Sequence, residues 1–135
     1  MSHFATIKTQ IKDIEALRDA CAEMDLMVLQ NVEARGYGNN RHQGEYVIAL
    51  KGPYDIALNK QSNGTYGLTT DWWDGHVEKE VGKDYGKLLQ LYGVHKAMRE
   101  ARQRGYSVRR TALNDGSVKL SIGQPGRVLA QMGGM

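Results

Sequence analysis

The stretch Tyr54–Trp73 constrains this chain more than any other. Asn63-Gly64 stands between two alternating segments, and Asn-Gly is the strongest local signal for a tight hairpin because both residues tolerate positive φ. Tyr54, Ile56 and Leu58 share one face of the incoming strand, and Tyr66, Leu68, Thr70 and Trp72 share one face of the outgoing strand. The two tryptophans of the chain, Trp72 and Trp73, are adjacent. A period of two sends them to opposite faces, one to the core and one toward the surface. The alternative is that both are buried, with Trp73 beneath the loop that follows, and the sequence leaves that choice open.

The rest of the chain reads as strands around two helices. Phe4–Ile11 alternates as a first strand. Asp13 is a candidate N-cap for a helix with Ile14, Leu17, Cys21 and Met24 on one stripe. Leu26–Arg35 and Glu45–Leu50 read as strands, separated by the Gly- and Asn-rich loop Gly36–Gly44. That loop is either a binding loop or a long connection; its glycines lack the spacing of a phosphate-cradling motif. A polar linker after Trp73 leads to a helix from about Asp84 to Arg104. Leu88, Leu91, His95, Met98 and Arg102 form its seven-residue stripe, which places His95 on the buried side. Gly93 within that helix suggests close backbone packing, and Gly105 is placed to stop it. Tyr106–Leu113 and Ser117–Ile122 form a second hairpin around Asn114-Asp115-Gly116. The expected fold is α+β: a mostly antiparallel sheet of about six strands with two helices packed on one face. Residues 1–123 read as a single domain and 124–135 as a flexible C-terminal tail.

Charge separates the two ends of the chain. Residues 1–82 carry eight Lys and Arg against twelve Asp and Glu, whereas residues 83–135 carry ten against three. Such a division steers an acidic partner toward the C-terminal part, or reflects an unevenly charged surface and nothing more. With no apolar run near the ~20 residues of a membrane span, no signal-peptide pattern and one cysteine, the chain reads as soluble, with no membrane association and a cytoplasmic location.

Three segments also carry a family resemblance. Met1–Asp13 (MSHFATIKTQIKD), Tyr54-Asp55-Ile56 and the N-G-T-Y…D-W-W run of Asn63–Trp73 resemble the family of chloroplast open reading frame thirty-five, also a bacterial domain of unknown function. The resemblance is collinear from Met1 to about Ile122. It implies no settled activity and no catalytic residues. It does imply a place in plastid or bacterial cells, with the plastid stroma as the location if plastid-encoded. It also implies gene neighbours that include an AAA-type ATPase and a small ferredoxin, hence an AAA-type ATPase as a candidate partner.

Candidate sites follow from residue chemistry. His3, His42, His76 and His95 show no metal-ligand spacing. Asp71, Asp74 and His76 are near enough to converge, but such residues in a turn are more often capping or solvated groups, so no metal and no cofactor are expected. Cys21 on an apolar stripe reads as a small buried hydrophobe, and no nucleophile motif is present, so the chain is not expected to be an enzyme. His95 reads as a core histidine before it reads as a base. Trp72, Trp73 and His76 are the candidate protein-binding residues, because aromatic anchors ringed by charge suit docking. Lys96, Arg99, Arg102, Arg109 and Arg110, with Arg104, Lys119 and Arg127 nearby, are the candidate nucleic-acid-binding residues. Glu100, four residues from both Lys96 and Arg104, equally supports an ordinary solvated helix face. The expected function is a small non-enzymatic adaptor or regulatory protein acting on a protein partner. The alternative is RNA or ribosome binding through the basic C-terminal surface.

Overall fold

A computed structural model of the chain describes residues 4–124. The expected tail therefore lies, from residue 125, outside the described residues, as do His3 and Arg127. The chain divides into two compact units, 1–92 and 93–135.

The first unit contains β1 (Phe4–Lys8), α1 (Ile14–Glu23), β2 (Met27–Arg35), β3 (Arg41–Ala49), β4 (Ile56–Lys60), β5 (Tyr66–Asp71) and α2 (Glu78–Val81). It also holds the first turns of α3 (Gly86–Gln103). The five strands form one antiparallel sheet in the order β1-β5-β4-β3-β2. The Asn63-Gly64 turn joins β4 to β5: Gly64 adopts φ +88°, and Asn63 Oδ1 accepts from the Thr65 N–H at 3.0 Å. Asp13 caps α1, its Oδ1 accepting from the Ala16 N–H at 3.1 Å and satisfying a donor that the helix itself leaves free.

Alternation sends Ile48, Ile56, Leu58 and Leu68 to one face of the sheet. There they pack with Ala16, Leu17 and Cys21 of α1 and with Val81, Tyr85, Leu88 and Leu91. Each fully buried Leu or Ile contributes on the order of 1.5–3 kcal/mol, so this face supplies most of the unit's apolar burial. The helices therefore cover one face, as the sequence pattern requires.

The opposite face is covered by the chain's own β2–β3 hairpin. Pairing of β3 with β4 stops at Tyr46. Beyond it the Glu45 N–H donates to Asn59 Oδ1 at 2.9 Å, and the Lys60 N–H donates to Glu45 Oε1 at 3.0 Å. Across from Glu45, Asn31 adopts φ +55°, a left-handed conformation that Asn tolerates better than most residues. Gly44 completes the bend: a Cβ there would lie 2.6 Å from the Tyr46 carbonyl oxygen. The distal half of the hairpin folds over, and Ala34 packs on Val47 and Ala57. The expected nine-residue loop Gly36–Gly44 is thus a short turn, because β3 already begins at Arg41.

Two further readings are corrected. No atom lies within 4 Å of where a Gly93 Cβ would stand, so this glycine marks no close packing. His95 is half-buried: the buried stripe of α3 keeps the expected Leu88, Leu91 and Met98 but takes in Val94 and Ala101 in place of His95 and Arg102.

The second unit holds the remainder of α3 and the antiparallel pair β6 (Ser107–Ala112) and β7 (Val118–Gly123). The fold class is α+β as expected, with the strands divided between a five-stranded and a two-stranded sheet. Gly105, at φ +82°, ends α3, and the Tyr106 N–H returns to the Ala101 carbonyl at 2.9 Å. Among the described residues no helix is long and apolar enough to cross a membrane.

Candidate functional site

Asp71 ends β5 with its carboxylate fully buried. Its Oδ1 accepts from the Trp73 N–H and its Oδ2 from the Tyr37 N–H, both at 3.0 Å. One carboxylate therefore holds the backbone of the β2–β3 turn against that of the D-W-W turn. Tyr37 is 44% exposed and Trp73 46% exposed, and their rings meet edge to face with centroids 6.1 Å apart. That arrangement is a favoured geometry of aromatic pairs. Trp72 goes inward, its ring edge-on to Tyr85 at 4.8 Å. β5 has already ended at Asp71, so the opposite directions of the two tryptophans come from the turn and not from strand alternation.

The chain leaves this corner through Asp74 (φ +59°) and Gly75 (φ +71°), which turn it back toward the sheet. His76 then lies edge-on to the buried Tyr54 ring at 5.2 Å, with Nε2 3.8 Å from Asp74 Oδ2. Burial, then the charges of Asp71, Tyr37 and Asp74, push the Tyr54 phenol above its usual range. On the other side the ring of Phe4 lies against Gly36, where a Cβ would collide with it, and meets His42 at 5.4 Å.

Behind the corner, Arg35 and Asp55 fasten the folded hairpin. Arg35 Nε donates to Asp55 Oδ2 at 2.9 Å and Nη2 to Oδ1 at 2.8 Å, a bidentate pair. Arg35 Nη2 also donates to the carbonyls of Leu50 and Gly52, while the backbone N–H groups of Arg35 and Leu50 donate to the Asp55 carboxylate. The hydrogen bond to Asp55 holds the guanidinium even further above its ordinary pKa. These bonds make the pair a fastening of the folded hairpin. Sequence reasoning overlooked Arg35, Tyr37, Asp55 and the clamping role of Asp71. Tyr37 inside a Gly- and Asn-rich stretch was the one available signal.

The basic residues lie in the second unit. Lys96 pairs with Glu100 at 3.3 Å, an ordinary helix-surface pair. Arg99 is half-buried and Arg102 exposed on α3. The register of β6 with β7 separates the two strand arginines. Arg109 pairs with Ser121 on the face that also carries Thr111 and Lys119, whereas Arg110 pairs with Leu120 on the face of Val108 and Ile122. Arg109 and Lys119 are thus diagonal neighbours, and Arg110 does not belong to their patch. Among the described residues no group of three His, Cys, Asp or Glu is placed to hold a metal ion.

These features define a small α+β protein with a partly exposed aromatic corner clamped by Asp71. The chain belongs to the family described as Protein of unknown function (DUF1257), whose model matches residues 20–121. It is 29% identical over 126 residues to "Uncharacterized protein ycf35" of Pyropia yezoensis, covering 90% of this chain and 96% of that relative. The protein of the same description from Guillardia theta matches with the same identity and coverage. The resemblance to chloroplast open reading frame thirty-five is thereby shown. No solved structure matches the chain.

Proposed function

We propose that this chain is a small non-enzymatic adaptor or regulatory protein that docks a protein partner on the Tyr37–Trp73 corner, with His76 flanking it and Trp72 packed inward behind it. The observation that carries the reading is the clamp: one buried carboxylate fixes the backbones of both exposed aromatic residues. Two anchors held in place before binding lose little freedom on docking, and large aromatic side chains supply the greatest contact area for that cost. The gene neighbourhood implied by the family resemblance favours an AAA-type ATPase as the partner, in the cytoplasm or the plastid stroma. The chain's one thiol supports a non-enzymatic role. Cys21 is buried, which pushes its pKa up to about 12, so the reactive thiolate is scarce near neutral pH.

A second reading, RNA binding, draws support from exposed Arg109 and half-buried Lys119, diagonal neighbours on one face of the β6–β7 pair. The discriminating experiment is a tagged pull-down from source cells with and without nuclease, followed by mass spectrometry. A defined protein that survives nuclease and is lost on Trp73→Ala supports the adaptor. Recovery that depends wholly on nucleic acid, with steep salt dependence and loss on Arg109→Ala, replaces it with RNA binding.

A further inference from the structure

A concavity elsewhere in the first unit has a different chemistry from the aromatic corner. It is a cavity of about 200 Å³ lined by Lys51, Lys79 and Lys87 with Glu80, Met24 and Leu26. The three lysines come from three segments: the turn after β3, α2, and the first turn of α3. Their convergence is built by the fold. Glu80 reaches back to the turn after β3, its Oε1 accepting from the Lys51 N–H at 2.7 Å and its Oε2 from the Gly52 N–H at 2.9 Å. That bidentate contact sets α2, and with it Lys79, opposite Lys51. Gly82, at φ +86°, reverses the chain between α2 and α3 so closely that a Cβ there would lie 2.8 Å from the backbone nitrogen of Lys87. Lys87 is thereby brought beside α2.

Charge within this cavity is unbalanced. Three lysines and one glutamate line it, and the Glu80 carboxylate is already occupied by two backbone donors. Lys51 Nζ lies 3.7 Å from Asp25 Oδ2, a pair exposed on both sides and worth little in water. Like charges gathered around one space repel, and an anion carrying two charges relieves that repulsion. Lysine is a common phosphate ligand, acting as a mobile point charge, and the two turn amides show that the rim accepts anionic oxygens.

The geometry points to an anion-binding site at Lys51, Lys79 and Lys87 for a compact phosphorylated small molecule. The volume suits a phosphate or diphosphate headgroup and not a length of extended acidic chain. This site stands independently of the docking surface proposed above. Gly52 nevertheless links it to the folded hairpin, donating its N–H to Glu80 and accepting from Arg35 through its carbonyl at 2.9 Å.

The test is a titration of the full chain with inorganic pyrophosphate, read by backbone amide chemical shifts and by calorimetry. The expected result is binding with a Kd of about 1 mM or tighter, with shifts centred on Lys51, Gly52, Lys79 and Lys87. Lys79→Gln combined with Lys87→Gln, at exposed positions that leave the core intact, should weaken it about tenfold or more. Lys8→Gln combined with Lys12→Gln, which removes the same charge elsewhere, should leave affinity within about twofold. The proposal is overturned if pyrophosphate shifts none of these amides, if both double variants lose affinity equally, or if an acidic peptide binds this cavity more tightly than pyrophosphate.

Discussion

The main-chain N–H of Tyr37 ends on the buried carboxylate of Asp71, 34 residues further along the chain, at 3.0 Å. The other oxygen of that carboxylate takes the Trp73 N–H, so the side chain stands between two turns with both acceptors in use. Asp71→Ala would strip two backbone donors of their partner at a buried position. The expected loss of stability is about 2–4 kcal/mol in urea unfolding. Trp73 fluorescence should also change under native conditions, because the turn that orients the ring is released.

Trp73→Ala should behave oppositely. Its ring is 46% exposed, so truncation is expected to change stability by less than about 1 kcal/mol while abolishing capture of the protein partner. A variant that folds normally yet still captures the partner would remove Trp73 from the docking surface.

Asp55 receives more donors than Asp71, including two guanidinium nitrogens of Arg35. Asp55→Ala takes the acceptor from the Arg35 and Leu50 N–H groups and leaves the guanidinium with the carbonyls of Leu50 and Gly52 in place of its carboxylate. The expected cost is about 2 kcal/mol, below the ~3–5 kcal/mol of a fully buried pair because the Arg35 side chain is 43% exposed. Thermal unfolding of Asp55→Ala beside Asp55→Asn checks this, the amide retaining one acceptor and part of the stability.

Gly93→Ala should raise stability by about 0.5–1 kcal/mol. The position lies inside α3, a Cβ there meets nothing within 4 Å, and alanine costs less backbone entropy than glycine in a helix. Urea midpoints of the two proteins measure it. A decrease would mean that the residue's backbone freedom is itself in use.

Stability should fall in alkali. Burial raises Cys21 from 9.0 to about 12, against a smaller opposing pull from Arg18, and burial also raises Tyr66 and Tyr85. A raised pKa means the folded chain keeps a proton that the unfolded chain releases, so stability is full below the unfolded pKa and declines above it. The decline should begin near pH 9 with Cys21 and steepen above about pH 10 as the tyrosines join. Urea midpoints at intervals between pH 7 and pH 11 report it, and Cys21→Ala should flatten the first part of the slope.

Local chemistry was readable in the sequence wherever cause and effect lie close together. The Asn63-Gly64 turn, the Asp13 cap and the Gly105 stop each follow from two or three neighbouring residues. The folded hairpin does not. Its bend depends on Asn31 and Gly44, which are separated in sequence and meet only once β2 and β3 pair, and its fastening depends on Arg35 finding Asp55. A glycine interrupting a strand pattern is a recognised sign of a bulge or close approach. Gly44 carried that sign, but it was absorbed into a loop because Gly36 and Gly38 lay close before it. The candidate site was half legible for the same reason. The D-W-W turn marks itself by composition, while its partner Tyr37 is joined to it only through the tertiary contact at Asp71. The register of β6 with β7, which parts Arg109 from Arg110, follows from strand alternation and was the more accessible of the missed relationships.

The fold-over of the β2–β3 hairpin also sets an order of assembly. A ribosome completes residues 27–49 well before residue 71, so the hairpin can pair while its acceptor at the end of β5 does not yet exist. Its tip gains a fixed place only after β4 and β5 have joined the sheet and Asp71 stands ready. The aromatic corner therefore cannot close before residue 71 is made, and a chain halted short of it would present Tyr37 without its clamp.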